Sequence, residues 1–203
     1  MFTYDFKVPS LNGSYKKLSK VPSDPTIESL YHKIFDDLAC FPVMADGSNI
    51  ENGYTYTNSF LAERTYGGNR KHMGIDLMDS NNEKGALNIV SMTDGVIENM
   101  GWLELGGYRI GIRTPTGAYF YYAHLNNYAA GLKEGSQVFA GQLLGTMGSS
   151  GYGPEGTIDQ FDVHLHLGIA LDLDGKEFWV NPYAILMALD PQQPPKSLPT
   201  EVQ

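Results

Sequence analysis

Four of the five histidines in this 203-residue chain lie in three short motifs, at His72, at His124, and at the pair His164 and His166. Imidazole is the commonest zinc ligand in proteins and the usual general base near neutral pH. Asp76 follows His72 by four residues and adds a carboxylate that can also bind a metal. The three motifs therefore predict a zinc-dependent hydrolase.

The last motif lies in a segment, 162–169, in which apolar and polar residues alternate strictly. This alternation is typical of a half-buried strand, whose side chains point to opposite faces in turn. His164 and His166 are expected on one face, while Val163, Leu165 and the following apolar residues enter the core. Two imidazoles on one face can serve one metal site, either both as ligands or as one ligand and one base.

The first motif is expected to be a turn that runs into a strand over 75–78, because nearby glycines disfavour a helix. Gly74 would permit close backbone approach at this point, and a surface His–Asp pair is the alternative interpretation of the motif. His124 is expected to end a strand over 119–124, where an ordinary hydrogen-bonded histidine is the alternative. Catalytic zinc sites use three protein ligands and leave a position for water, whose pKa the metal lowers to about 7.

The elements that must position these motifs are mostly short strands. Apolar residues at helical spacing after Pro25 predict an amphipathic helix over 25–39, and Asn181-Pro182 opens a short closing helix through about Leu189. Between them, strand-like segments separated by Gly, Pro or Asp lie at 87–99, 107–114, 117–125, 136–147, 161–171 and 176–180. Residues 1–22 are expected to be an irregular arm, and the proline-rich tail 191–203 is expected to be disordered.

Composition narrows the class of protein further. Hydrophobic residues make up 42% of the chain and allow one sizeable core, and 23 glycines suit a sheet with many tight turns. The net charge of -9 argues against nucleic acid as a partner and gives no support to a polybasic membrane contact. No apolar run approaches the roughly 20 residues of a spanning helix, and the first residues lack the pattern of a signal peptide. Either the protein is cytosolic, or an export or anchor segment is absent from this chain.

In this order, the three motifs resemble the lysostaphin-type, or LytM-like, zinc metallopeptidases. The resemblance covers about 41–190 and includes Arg64 and the segments 93–97, 122–125, 138–142 and 180–183. It implies a mainly β fold, the duplicated hybrid motif, with an antiparallel, β-sandwich-like sheet and an open groove. The implied organisation is an arm and helix at 1–40, the metallopeptidase domain at 41–190, and the tail at 191–203.

The resemblance also implies a role for each residue of the motifs. His72, Asp76 and His166 would bind one zinc ion per chain, while His124 and His164 would orient or deprotonate the water and stabilise the tetrahedral intermediate. Which of these two is the base stays open. Tyr66 is placed where some members use a tyrosine against the oxyanion.

Two departures from the family pattern concern the surroundings of these residues. Leu167-Gly168 stands where many members carry an aromatic and an acidic residue, which could alter the support of the ligands. The glycine-rich insertion 149–160 predicts a mobile groove wall. Neither departure removes a residue to which the resemblance gives a role.

The function implied is hydrolysis of peptide bonds in bacterial peptidoglycan crosslinks or stem peptides, outside the cytoplasmic membrane. The alternative is a non-catalytic LytM-like module that binds cell wall or a partner and regulates another hydrolase. Such modules usually lose ligands, so the complete set here favours an enzyme. An amidase stays open as a third interpretation, and the sequence specifies neither the bond that is cut nor the oligomeric state.

Overall fold

The computed structural model describes residues 25–44 and 53–192. The expected arm at 1–22 and residues 193–203 of the expected tail lie outside these ranges. In the part that is described, the chain is mainly antiparallel β-sheet with two helices, which confirms the expected fold class. Neither of these helices is long and apolar enough to cross a membrane.

We number the elements of the described residues in chain order. The helices are α1 (Pro25–Phe35) and α2 (Tyr183–Leu189). The strands are β1 (Tyr54–Tyr56), β2 (Glu63–Arg64), β3 (Arg70–Lys71), β4 (Ile75–Asp79), β5 (Asn88–Val90), β6 (Gly95–Leu103), β7 (Gly107–Arg113), β8 (Tyr119–Tyr128), β9 (Gln137–Val138), β10 (Leu143–Met147), β11 (His164–Leu173) and β12 (Lys176–Val180).

The order of the strands brings the three histidine motifs together. In the main sheet the strands run β1-β4-β11-β8-β7-β6-β9, and each of these neighbours pairs antiparallel. Strand β11 therefore lies between β4, which follows the first motif, and β8, which carries the second. Residues as far apart in sequence as His72 and His166 thereby come into contact.

The core lies against one face of this sheet, as the alternation in β11 predicts. Leu165, Leu167 and Ile169 are fully buried, and their neighbours across the sheet include the equally buried Leu77 and Tyr122. Burial of each large apolar side chain contributes about 1.5–3 kcal/mol. This apolar face holds β11 in register, because a slip by one residue would move the buried set to the opposite face.

Helix α1 ends four residues earlier than the sequence predicts, at Phe35 and not at 39. The carboxylate of Asp37 accepts hydrogen bonds from the backbone N–H and hydroxyl of Thr116, at 3.0 and 2.5 Å. Leu38 forms an isolated β-bridge with Thr93. Beyond Phe35, the helix was predicted only because Leu38 keeps the apolar spacing. The long-range contacts of Asp37 and Leu38 outweigh this local pattern.

Two of the predicted strand segments are divided in the structure. Segment 87–99 forms β5 and β6 with a turn between them, and segment 136–147 forms β9 and β10 around a turn in which Gly141 has a φ of 80°. The two turns meet, because the Gly141 N–H donates to the carbonyl of Ser91. The two segments run antiparallel on either side of this contact, with Val90 opposite Leu143 and Gly95 opposite Val138, so the contact interrupts both strands at the same place. The short strands β1 to β3 were not predicted.

Candidate active site

Asp76, His166 and His72 form what we call the ligand cluster, and two paired strands position it. Asp76 in β4 lies directly opposite His166 in β11, so both side chains leave the same face of the sheet. His72 precedes β4 and reaches the same point through the turn at Gly74. At that glycine an added Cβ would lie 2.4 Å from the carbonyl oxygen of Leu167 and 2.7 Å from the His166 ring, so the turn needs glycine here.

The ligand cluster has the dimensions of a metal site. The Nε2 atom of His72 lies 2.8 Å from Nδ1 of His166, and each of these nitrogens lies 3.0 Å from Oδ1 of Asp76. In a tetrahedral zinc site with bonds of about 2.0–2.1 Å, ligand atoms are separated by about 3.3 Å. The three atoms of the cluster are therefore close to the spacing that one zinc ion requires, and the described residues show no other such group.

The hydrogen bonding of His72 supports the same interpretation. Its Nδ1 lies 2.9 Å from the carbonyl oxygen of Ser59, which can only accept, so Nδ1 carries the proton. In the neutral ring, Nε2 then presents a lone pair to the Asp76 carboxylate. Two acceptors at this distance repel each other unless a proton or a metal ion lies between them, and His72 is only 2% exposed. The donor set therefore fits a divalent metal ion.

Arg64 completes the surroundings of Asp76. Its guanidinium donates to Oδ2 at 2.5 Å, which leaves Oδ1 directed at the two histidines. Burial alone would raise the pKa of Asp76, but the contacts with His166 and His72 outweigh it and hold this pKa far below its usual range. The carboxylate is thus ionised at neutral pH, as a metal ligand must be.

His124 and His164, which we call the histidine pair, lie beside the ligand cluster. Their ring centroids are 4.6 Å apart. Each ring donates Nδ1–H to a backbone carbonyl, His124 to Ser150 at 2.8 Å and His164 to Asp162 at 2.7 Å. The Nε2 atom of each ring therefore keeps its lone pair, and that of His164 lies 3.8 Å from Oδ1 of Asp76.

His124 reaches the site through a distortion of β8 that the sequence did not predict. The prediction that it ends a strand is wrong, because β8 continues to Tyr128. Simple alternation would place His124 on the core face with Tyr122. Instead the pairing with β7 shifts register at this point, and His124 has a φ of 64°. Such a bulge re-aims one side chain, here into the cavity.

Phe161 and Tyr152 form an aromatic wall over the histidine pair. The Phe161 ring lies 4.6 Å from that of His124 and 4.9 Å from that of His164, and Tyr152 packs against Phe161 at 4.7 Å. Burial is the main cause that lowers the pKa of His164, and that of His124 well below its usual value. Both rings are therefore neutral at pH 7 and able to accept a proton.

Tyr66 does not line the cavity in this structure. Its ring stacks on that of Tyr152 with centroids 4.2 Å apart, and its hydroxyl donates to the Tyr152 carbonyl. Sequence reasoning missed Tyr152, which does line the cavity, although it is an aromatic residue within the insertion already expected to form a wall. That insertion is held by internal hydrogen bonds, including Gly151 N–H to the carbonyl of Thr157.

A cavity of about 130 Å³ lies over the ligand cluster and the histidine pair. Its lining consists of Arg64, Arg70, His72, Asp76, Leu105, Gly106, Tyr121, Ala123, His124, Tyr152, His164 and His166. Apart from Tyr66, every residue to which the sequence gave a role is in this set. The arrangement combines three atoms that could bind one metal ion with two neutral imidazoles, and it can support metal-assisted hydrolysis.

Comparison with known proteins places this geometry in context. Residues 70–182 match the family described as peptidase family M23. The chain is 42% identical over 139 residues to the L-Ala--D-Glu endopeptidase of Bacillus subtilis (strain 168). The match covers 68% of the chain but only 41% of that relative's length.

Solved structures agree with this relationship. A protein from Ruminococcus gnavus ATCC 29149, assigned as the glycyl-glycine endopeptidase LytM, has 48% identity and a TM-score of 0.74, with coverage of 85% of the chain and 68% of that structure. Lysostaphin from Staphylococcus simulans shares the fold, with 24% identity, a TM-score of 0.52, and coverage of 73% and 55%.

Proposed function

The chain belongs to peptidase family M23, and we propose that it is a zinc-dependent endopeptidase that hydrolyses peptide bonds of bacterial peptidoglycan. The observation that carries the proposal is the ligand cluster, in which His72, Asp76 and His166 bring their ligand atoms within 3.0 Å of one another. The complete set of three ligands beside two neutral bases favours catalysis over a purely binding role.

In the proposed mechanism, His72, Asp76 and His166 would hold one zinc ion. When bound, zinc polarises a carbonyl group and lowers the pKa of water to about 7. The Nε2 atom of one of the two, His124 or His164, would accept a proton from the attacking water and return it to the leaving amine, while the other ring would orient that water. Backbone carbonyls hold both rings in the tautomer that this transfer needs, and Arg64 keeps Asp76 oriented.

Two relatives support a proposal for the substrate class. One relative is named for an L-Ala--D-Glu bond and another was assigned to a glycyl-glycine bond. Both are peptide bonds, and we propose a peptidoglycan peptide as the substrate of this chain. Because peptidoglycan lies outside the cytoplasmic membrane, we also propose an extracytoplasmic location.

The test has two parts that use the purified chain. Metal analysis should find about one zinc ion per chain. Digestion of purified peptidoglycan followed by mass spectrometry should show a cut peptide bond and identify it. A chelator should stop the reaction, and added zinc should restore it.

The outcome also separates the alternatives. Zinc-loaded protein that binds peptidoglycan but leaves every peptide bond intact would replace the proposal with the regulatory module. Release of a stem peptide from the sugar would instead identify an amidase. Cleavage that persists after the metal is removed would contradict the zinc mechanism.

A further inference from the structure

Arg70 lies in the same cavity, and the mechanism proposed above leaves it without a role. It is in β3, and its guanidinium lines the cavity together with Tyr152 and His124. Its Nε–H donates to the Tyr66 carbonyl at 3.3 Å, and Nη2–H donates to the Tyr152 hydroxyl at 3.0 Å. A guanidinium has five N–H donors, so most of its donors stay available.

The charge of Arg70 has no counter-ion among the described residues. The two basic residues nearest to it in sequence are both paired, Arg64 with Asp76 and Lys71 with Glu63. No carboxylate in the described part of the chain forms an ion pair with Arg70. A half-buried cation without an anionic partner is unfavourable, and this cost is removed when an anion binds.

The cavity as a whole is also positive, although the chain has a net charge of -9. Its lining contains two arginines and one carboxylate, Asp76. Arg64 already neutralises that carboxylate, and a bound divalent metal would add further positive charge. A cavity of this sign inside an acidic protein concentrates anionic groups at one point of the surface.

We propose that Arg70 is a specificity-determining residue that binds a carboxylate of the substrate next to the scissile bond. This inference rests on the proposed function and narrows it to acidic peptides, such as one with glutamate beside the cleaved bond. A glycine peptide offers no side-chain carboxylate to this position. The planar fork of arginine matches a carboxylate through two parallel hydrogen bonds.

The test compares two peptides that differ by one group. One has alanine followed by glutamate at the scissile bond, and in the other the free carboxylate of that glutamate is a carboxamide. The variant Arg70→Gln removes the charge while keeping an N–H donor near the position of Nε for the Tyr66 carbonyl. Lys71→Gln is the matched control, because it removes the same charge from the neighbouring residue, whose ammonium pairs with Glu63 outside the cavity lining.

We expect the wild-type protein to prefer the acid over the amide by about tenfold or more in kcat/KM, because hydrogen bonds to charged groups contribute on this scale. In Arg70→Gln the preference should fall to about one, through a higher KM for the acid with little change in kcat for the amide. Lys71→Gln should keep the wild-type preference. Arg70→Lys should give an intermediate value, since it keeps the charge and loses the fork.

Equal kcat/KM for the acid and the amide in the wild-type protein would overturn the inference, and so would an unchanged preference in Arg70→Gln. Loss of activity on both peptides in Arg70→Gln, with zinc content and melting temperature retained, would also overturn it. That result would show that Arg70 positions the loops and does not bind a carboxylate of the substrate. If the wild-type protein cuts neither peptide, the peptidoglycan digest decides the proposed function. Calorimetry with uncleavable analogues, methylated at the scissile amide, then decides the inference separately, since only a carboxylate-binding Arg70 gives tighter binding of the acid.

Discussion

The ligand cluster and the histidine pair share one cavity, but different structural features hold them in place. Asp76 and His166 face each other across two regular antiparallel strands, so strand register alone places them. His124 depends on a bulge with positive φ, and both base histidines are held by backbone carbonyls of Ser150 and Asp162, which precede β11. The first arrangement needs only the regular pairing of two strands, whereas the second also needs the insertion to fold correctly.

The difference has a consequence for function. A metal site on paired strands is rigid, because its ligands are held by the same hydrogen bonds and apolar face that hold the sheet together. The orientation of the bases instead depends on loop carbonyls and on the aromatic wall of Tyr152 and Phe161. Substitutions on the ligand cluster should therefore change metal binding, and those on the base side should change turnover.

Asp76→Ala should have the largest effect. Removal of the shared carboxylate should reduce zinc content from about one per chain to near zero and abolish cleavage, because metal affinity depends on the charged ligand. Elemental analysis and the peptidoglycan digest measure both effects. Circular dichroism is the control for folding, since Arg64 is left without its counter-ion. A folded variant that keeps its zinc would remove Asp76 from the ligand set.

His124→Ala should keep its zinc and lose turnover. Loss of a general base typically reduces the rate by about 10²–10⁴-fold, whereas no ligand atom is removed. The comparison of zinc content and kcat with those of Asp76→Ala tests the division between the two sides directly. Zinc loss in His124→Ala would show that the two sides are not separable as proposed.

Gly74→Ala should weaken the ligand cluster without removing any ligand. The added Cβ would lie 2.4 Å from the Leu167 carbonyl oxygen and 2.7 Å from the His166 ring, so the ring must shift. Zinc affinity should fall by about 10–100-fold, as when the support of a metal ligand is lost. Gly53→Ala is the matched control, because its nearest contact is 3.4 Å, to the Ser80 hydroxyl. Equal affinities in both variants would contradict the close packing of this turn.

Thr116→Val should have the smallest effect and leave both sides of the cavity intact. It removes the hydroxyl hydrogen bonds to Asp37 and to the Lys33 carbonyl, which attach the end of α1 to the turn between β7 and β8. The free energy of unfolding should fall by about 1 kcal/mol, the usual value for such partly exposed bonds. Unchanged zinc content and kcat would confirm that α1 packs at a distance from the chemistry.

The same variant makes a prediction about pH. Burial would raise the pKa of Asp37, but the hydrogen bonds from Thr116 outweigh it and lower this pKa below its ordinary value. A lowered carboxyl pKa stabilises the fold above the unfolded pKa of about 4, and this contribution is lost as the pH falls through the folded value. Urea unfolding of both proteins should therefore show a difference at pH 7 that shrinks near pH 3.

Several features of the site could be predicted from the sequence because they depend on local periodicity. Strict alternation in 162–169 placed His164 and His166 on one face and Leu165 in the core, and the structure confirms this. The turn into β4 and the closing helix also follow local patterns, although α2 begins at Tyr183. Where long-range contacts compete with such patterns, as at the end of α1, the prediction extended too far.

The sequence by itself determined which groups the proposal assigns to the chemistry, since His72, Asp76, His124, His164 and His166 are recognisable by type and spacing. Only the tertiary structure decided how they meet. The bulge that turns His124 towards the cavity, the carbonyls that set the two tautomers, and the place of Arg70 in the cavity lining have no local signature. Each arises from strands and loops distant in sequence, whose relative position is set by the packing of the whole sheet and not by any neighbouring residue.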